Sequence, residues 1–231
     1  MALAGAPIVS PRFVTASCYR RIVDLVKSRQ RVIDHGEVFT PEWMVIDMLN
    51  LVKDETERID SRFLESACGE GNFLVVVLER KLAVVDARFG LSEFERQHQA
   101  LLALMCIYGI ELLEDNVRAC RLRLMNTFVD YLQIDSSSPF YAAAESVLKS
   151  NILHADALTM LTQTLEPTPI VVAEWSYLGK GNYQRRDFRF DALTQMSSFG
   201  DDTLFGDIGK HVIFTPVKDY QRLSVKEIPV V

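Results

Sequence analysis

"LESACGEGNFL", residues Leu64 to Leu74, sets small residues and two glycines, Gly69 and Gly71, between apolar runs. A stretch so lean in side chains is either a tight strand-to-helix turn in a core or the floor of a site where a ligand touches the backbone. Before it, "SRFLESA" reads as a short buried strand; after it, "NFLVVVLERKLAVVDARFG" reads as a helix ending near Gly90. A strand, a Gly-x-Gly and a helix can hold a nucleotide-like ligand, because missing side chains admit it and backbone amides face it. Taken alone, Gly69-Glu70-Gly71 is equally a packing turn, so the neighbouring segments have to decide.

Downstream, "LSEFERQHQALLALMC" reads as a helix, "IYGIELL" as a strand and "EDNVRACRLRLMNTFVDYL" as a helix. "YAAAESVLKSNIL" carries another helix, "HADAL" a tight turn, and "PTPIVVAEW" a short strand bounded by Pro169. Upstream, "SCYRRIVDLVKSRQR" (Ser17 to Arg31) is an amphipathic basic helix, and "TPEWMVIDMLNLV" starts a second one, with Thr40 as N-cap, Pro41 in the first turn and Glu42 at the positive dipole end. Alternating strands and helices predict an α/β doubly wound, Rossmann-like parallel sheet covered by helices on both faces, with ligands beyond the carboxyl ends of the strands. The expected organisation is an N-terminal helical cap over residues 1–55, a core over 56–178 and an irregular C-terminal extension over 179–231, with one strand candidate at His211 to Phe214. The two "FTP" triplets, at Phe39 and Phe214, are too short to mark a repeat.

The 231 residues and 48% hydrophobic content fit one domain with a buried core. A net charge of −6 argues against a surface given over wholly to nucleic acid, while leaving room for a local basic patch. No charged start leads into an apolar run of signal-peptide length, and no run of about 18 or more apolar residues occurs, so a cytoplasmic protein without membrane contact is expected. Cys18, Cys68, Cys106 and Cys120 lack metal-ligand spacing and read as reduced core residues; neither a metal site nor a disulfide frame is expected. His35 and His154 read as polar structural residues, and His98 sits on an exposed-looking helix.

An acid supports the ligand-binding reading of the loop. Glu111, in "IYGIELL", sits at the end of the next strand, where a carboxylate can accept both hydroxyls of a ribose. It lies farther along than the roughly 20 residues of the dinucleotide fingerprint, with an additional helix between, which argues against NAD. Flanked by "IYGI" and "LL", it would otherwise be an expensive neighbour to a core.

Together, "HGEVFTPEWMVIDML", "FLESACGEGNFL", "IYGIELLEDNVRACRLRL" and "NILHADAL" resemble the cofactor half of the amino-directed DNA methyltransferases, particularly the adenine methylases of restriction-modification systems. The likeness covers residues 31 to 178 and rests on the order and character of four motifs. It implies S-adenosylmethionine as cofactor. Phe39, Thr40 and Pro41 match the segment that packs on and hydrogen-bonds its methionine end. Glu65, Ala67, Cys68, Gly69, Gly71, Asn72 and Phe73 match the family's "DPACGSGNF", with Glu65 in the place of the acid and Ser66 in the place of proline. Glu111 matches the ribose acid, and Asp156 the acid that accepts from the cofactor's adenine amine. Thr40 also has a plainer reading as a helix cap, and Asp156 as a turn former.

The family's "NPPY" is where the chain departs. "PIVVAEWSY" ends in Glu174-Trp175-Ser176-Tyr177: Glu174 stands where an Asn accepts from the target amine, Tyr177 matches the aromatic that stacks on the flipped base, and both prolines are missing. The resemblance implies methyl transfer to the exocyclic amine of adenine in DNA, by a modification subunit of a restriction or defence system with Glu174 and Tyr177 as catalytic residues. A catalytically silent cofactor-binding subunit that scaffolds such a complex is the alternative, and a third is an enzyme acting on RNA or a small amine. Family members usually add a sizeable recognition domain, whereas residues 179–231 alone follow here, so a specificity, restriction or catalytic partner subunit is expected. In "GKGNYQRRDFRF", Lys180, Arg185, Arg186 and Arg189 interleave with Tyr183, Phe188 and Phe190, a pattern suited to DNA contact or to a solvated loop whose aromatics close the sheet.

Overall fold

The computed structural model describes residues 27–35, 37–38, 40–195 and 215–231. The helix expected from Ser17 falls mostly outside the described residues, as do Cys18, Phe39 and the strand candidate at His211 to Phe214. Two compact units emerge, Met1–Pro41 and Glu42–Val231. In the first, helix α1 (Arg29–His35) is followed by Glu37, whose carboxylate takes the Arg31 guanidinium, with Nη2 to Oε1 at 2.9 Å.

The second unit has strands β1 (Phe63–Glu65), β2 (Ile107–Glu111), β3 (Ile152–Asp156) and β4 (Leu161–Thr162) in one sheet of that order. The first three are parallel, with Glu65 opposite Gly109 and Glu111 opposite His154; β4 runs antiparallel on β3. All five residues of β2 are buried, as its continuous apolar sequence requires of a central strand. Helix α2 (Glu42–Asn50) and the short α3 (Lys53–Thr56) precede β1. Helices α4 (Asn72–Phe89) and α5 (Glu93–Met105) connect β1 to β2, while α6 (Glu114–Leu132) and α7 (Pro139–Asn151) connect β2 to β3. Their starts follow local chemistry: Ser92 accepts from Glu95 N at 3.4 Å, and Ser138 accepts from Phe140 N at 3.2 Å with Pro139 in the first turn. The α4 face made by Leu74, Val77, Leu78, Leu82 and Val85 keeps helical spacing and enters the core.

Lys81 lies on that same buried face and is fully enclosed. Its ammonium donates to the carbonyls of Arg58 (2.7 Å), Ile59 (3.0 Å) and Ser61 (2.6 Å), so its three donors are used on the segment that leads into β1.

"PIVVAEWSY" was expected to join the parallel sheet; the structure gives it a sheet of its own. Strand β5 (Val171–Gly179) folds back at Lys180-Gly181 onto β6 (Asn182–Arg189), and the two pair antiparallel from Val171↔Arg189 to Gly179↔Asn182. Strands β7 (Lys218–Asp219) and β8 (Leu223–Ser224) add to β6, and α8 (Phe190–Gln195) follows it. Pairing with β6 takes one edge of β5, and Asn151 fixes where the hairpin lies. The buried Asn151 amide donates to Met105 O and Ile107 O, both at 3.0 Å, and its Oδ1 accepts from Trp175 Nε1 at 3.1 Å. The hairpin also covers α5: His98, expected to be exposed, is 4% exposed, and its Nδ1 meets the Tyr183 hydroxyl at 2.6 Å. The fold is therefore mixed α/β with a four-stranded mixed sheet, and no helix among the described residues is long and apolar enough to cross a membrane.

Replacing Lys81 by Met, similar in length but without donors, should leave three carbonyls unpaired and lower stability by about 2–5 kcal/mol, read as a shift of the urea midpoint. A midpoint unchanged by Lys81→Met would mean that this clamp is not formed.

Candidate functional site

The carboxyl ends of β1, β2 and β3 lie side by side, and their loops bring Glu65, the glycine loop, Glu111 and Asp156 to one edge of the sheet. The loop folds back over β2: Cys68 N donates to Ile110 O at 3.1 Å, and Gly71 N to Cys68 O at 2.7 Å. Two glycines make this approach possible. Gly71, with φ of +80°, introduces α4, and a Cβ there would stand 2.6 Å from Cys120 Sγ; a Cβ on Gly109, in β2, would stand 2.7 Å from Cys68 Sγ.

Glu111 is 7% exposed and its carboxylate ties the edge together. Oε2 accepts from Gly69 N at 2.8 Å, while Oε1 accepts from Leu113 N at 2.9 Å and Asn116 Nδ2 at 3.4 Å. A carboxylate offers about four acceptor positions, so three donors leave one on the Oε2 side. Glu65 is the contrast: its Oε2 is buried without a hydrogen-bond partner, and burial, with Glu111 nearby, pushes its carboxyl up to about 8.

The remaining expected residues fall into place unevenly. Cys68 is buried, and hydrogen bonding with Cys120, then burial, push its thiol far above the ordinary range, so it is neutral. The Asn72 side chain accepts from Arg123 Nη1 at 2.6 Å, and the same nitrogen reaches Glu70 O at 2.9 Å, pinning both sides of Gly71. Phe73 packs against the core, whereas Ala67 is exposed. Asp156 accepts from Leu158 N at 2.8 Å, which holds its carboxylate below the ordinary range, and His154 Nε2 bonds Leu112 O at 3.0 Å across the neighbouring loop. Thr40 and Pro41 belong to the first unit, and Phe39 lies outside the described residues.

Glu174 and Tyr177 make their contacts elsewhere. Glu174 pairs with Arg62, the residue before β1, at 2.9 Å, and with Arg186 across the hairpin. The Tyr177 ring stacks on His98 with centroids 5.7 Å apart, and its hydroxyl accepts from Gly181 N at 3.1 Å. Of the four tail cations, Lys180 is exposed at the hairpin turn, and the three arginines are paired. Arg185 grips Asp187 with both Nε (2.7 Å) and Nη2 (3.1 Å), Arg186 holds Glu174, and Arg189 Nε donates to Asp191 at 3.0 Å.

Sequence reasoning missed four contributors. Leu112 and Leu158, 43% and 94% exposed, follow Glu111 and Asp156 and put apolar surface beside the two acids. Their signal was an apolar residue just after each strand-end acid. Asn116 and Arg123, in the first and third turns of α6, carried none, because polar residues on a helix ordinarily face water.

Gly71→Ala should cost about 2–4 kcal/mol in urea unfolding, from left-handed backbone strain plus the clash with sulfur. Adding Cys120→Ala should restore the clash part and leave the backbone part; full stability of the single variant would refute the described loop.

Comparison with protein-family models, with curated proteins and with solved structures finds no match to this chain.

Proposed function

We propose that this chain binds S-adenosylmethionine at the glycine loop and serves methylation of the exocyclic amine of adenine in DNA, on a Rossmann-like methyltransferase core. The observation that carries the reading is the Glu111 carboxylate, fixed by Gly69 N and Leu113 N with an acceptor position to spare. A ribose hydroxyl takes that position. The adenine ring lies against Leu112 and Leu158, its amine donates to Asp156, and the methionine portion runs along the loop backbone.

The ion pairs of Glu174 with Arg62 and Arg186 favour one form of this proposal: a cofactor-carrying subunit whose target base is held by a partner chain. A carboxylate taken by two guanidinium groups is a poor acceptor for a base amine, and Tyr177 has already given a ring face to His98. In the other form, Glu174 and Tyr177 act in catalysis themselves.

Calorimetric titration should show saturable binding of S-adenosylmethionine and none of ATP or NAD, with Glu111→Ala weakening it about 10–100-fold. Plasmid DNA incubated with the chain and the products of its neighbouring genes should then contain methylated adenine by nucleoside mass spectrometry. Methylation that survives Glu174→Ala identifies the silent subunit, and its loss identifies Glu174 as the acceptor. Neither cofactor binding nor methylated adenine would end the proposal.

A further inference from the structure

The side chain of Glu65 has no role in the hydrogen bonding of the edge it stands on. Its Oε2 is buried and unpartnered, although it sits at the carboxyl end of β1, beside the loop. The groups facing it are all of one kind. From β2 comes the Glu111 carboxylate; from the loop comes the neutral Cys68 thiol, backed by Cys120 of α6. No lysine, arginine or histidine among the described residues pairs with Glu65.

Two adjacent carboxyl groups in a poorly hydrated place do not both ionise. Glu111 already accepts from three donors and Glu65 Oε2 from none, so the proton belongs to Glu65, in keeping with a carboxyl raised to about 8. A positive charge brought beside Oε2 reverses the balance. It supplies the missing partner and makes the ionised form of Glu65 the favoured one, whereas a neutral ligand leaves the proton in place and a phosphate meets the Glu111 charge.

We propose that Glu65 selects a cationic ligand at this edge and releases its proton to solvent when that ligand binds. This deepens the cofactor proposal and rests on it: the ammonium and sulfonium of S-adenosylmethionine are the cations concerned, and the O–H bond of Glu65 breaks as its carboxylate pairs with one of them.

Calorimetry at pH 6.5 in two buffers of different ionisation enthalpy counts the protons. S-adenosylmethionine should release about one proton per molecule bound, and its affinity should rise about 30-fold from pH 5.5 to pH 7, given a free-protein value of about 8. The uncharged nucleoside 5′-methylthioadenosine should bind without release, and Glu65→Gln should abolish the release seen with S-adenosylmethionine. Binding of both ligands with no proton released overturns the role of Glu65 and leaves the cofactor proposal standing; binding of neither overturns the cofactor proposal.

A measurement without ligand decides the proton itself. Between pH 4.5 and 8 the folded chain keeps a proton that the unfolded chain has lost, so stability should fall with rising pH across that window relative to Glu65→Gln. A difference between the two proteins that stays flat over the window would show Glu65 already ionised and overturn the proposal.

Discussion

The carboxylate of Glu111 is the constraint on which the candidate site depends. One oxygen reaches back to the glycine loop after β1, and the other holds the start of the segment leading into α6. Hydrogen bonds to a charged acceptor each contribute about 1.5–3 kcal/mol, enough to set the position of a loop that has few side chains to pack. The loop's backbone then follows: Cys68 goes down onto β2, Gly71 turns with a positive φ, and Arg123 pins the residues on either side. An acid at this place costs desolvation, which the amide donors offset.

Around that edge, much was legible in the sequence. The helices after the glycine loop and after β2 kept long apolar faces at helical spacing, and the strand at Ile107 was a continuous apolar run, so periodicity alone placed them. Glu111 stood out because an acid between apolar runs needs a reason. The hairpin was harder. "PIVVAEW" reads equally as a buried parallel strand or as half of an antiparallel pair, and the choice lay in "GKGNYQRRDFRF", whose alternation was hidden by arginines on both faces. Arg185 enters because Asp187 neutralises it and Trp175 and Tyr220 flank it; a basic reading of the stretch could not see those partners.

The same kind of pairing engages the arginines of the basic and aromatic tail. Arg185, Arg186 and Arg189 each face a carboxylate from their own sheet or the adjoining helix. Their charges are balanced locally, as the acidic net charge of the chain permits. A phosphate would have to displace Asp187, Glu174 or Asp191 from these arginines, whereas Lys180 at the hairpin turn is exposed and has no carboxylate partner among the described residues.

Asn151 joins parts of the molecule that are far apart in sequence. Its amide is shared between the carbonyls flanking the entry to β2 and the indole of Trp175 in the hairpin. Detaching the hairpin would leave Oδ1 of a buried side chain without its donor, and opening the entry to β2 would leave Nδ2 of the same amide without its acceptors. The two sheets, which share no strand, are thereby bound into one cooperative opening unit, so that slow hydrogen exchange in the central strand and at the Trp175 indole should have a common origin.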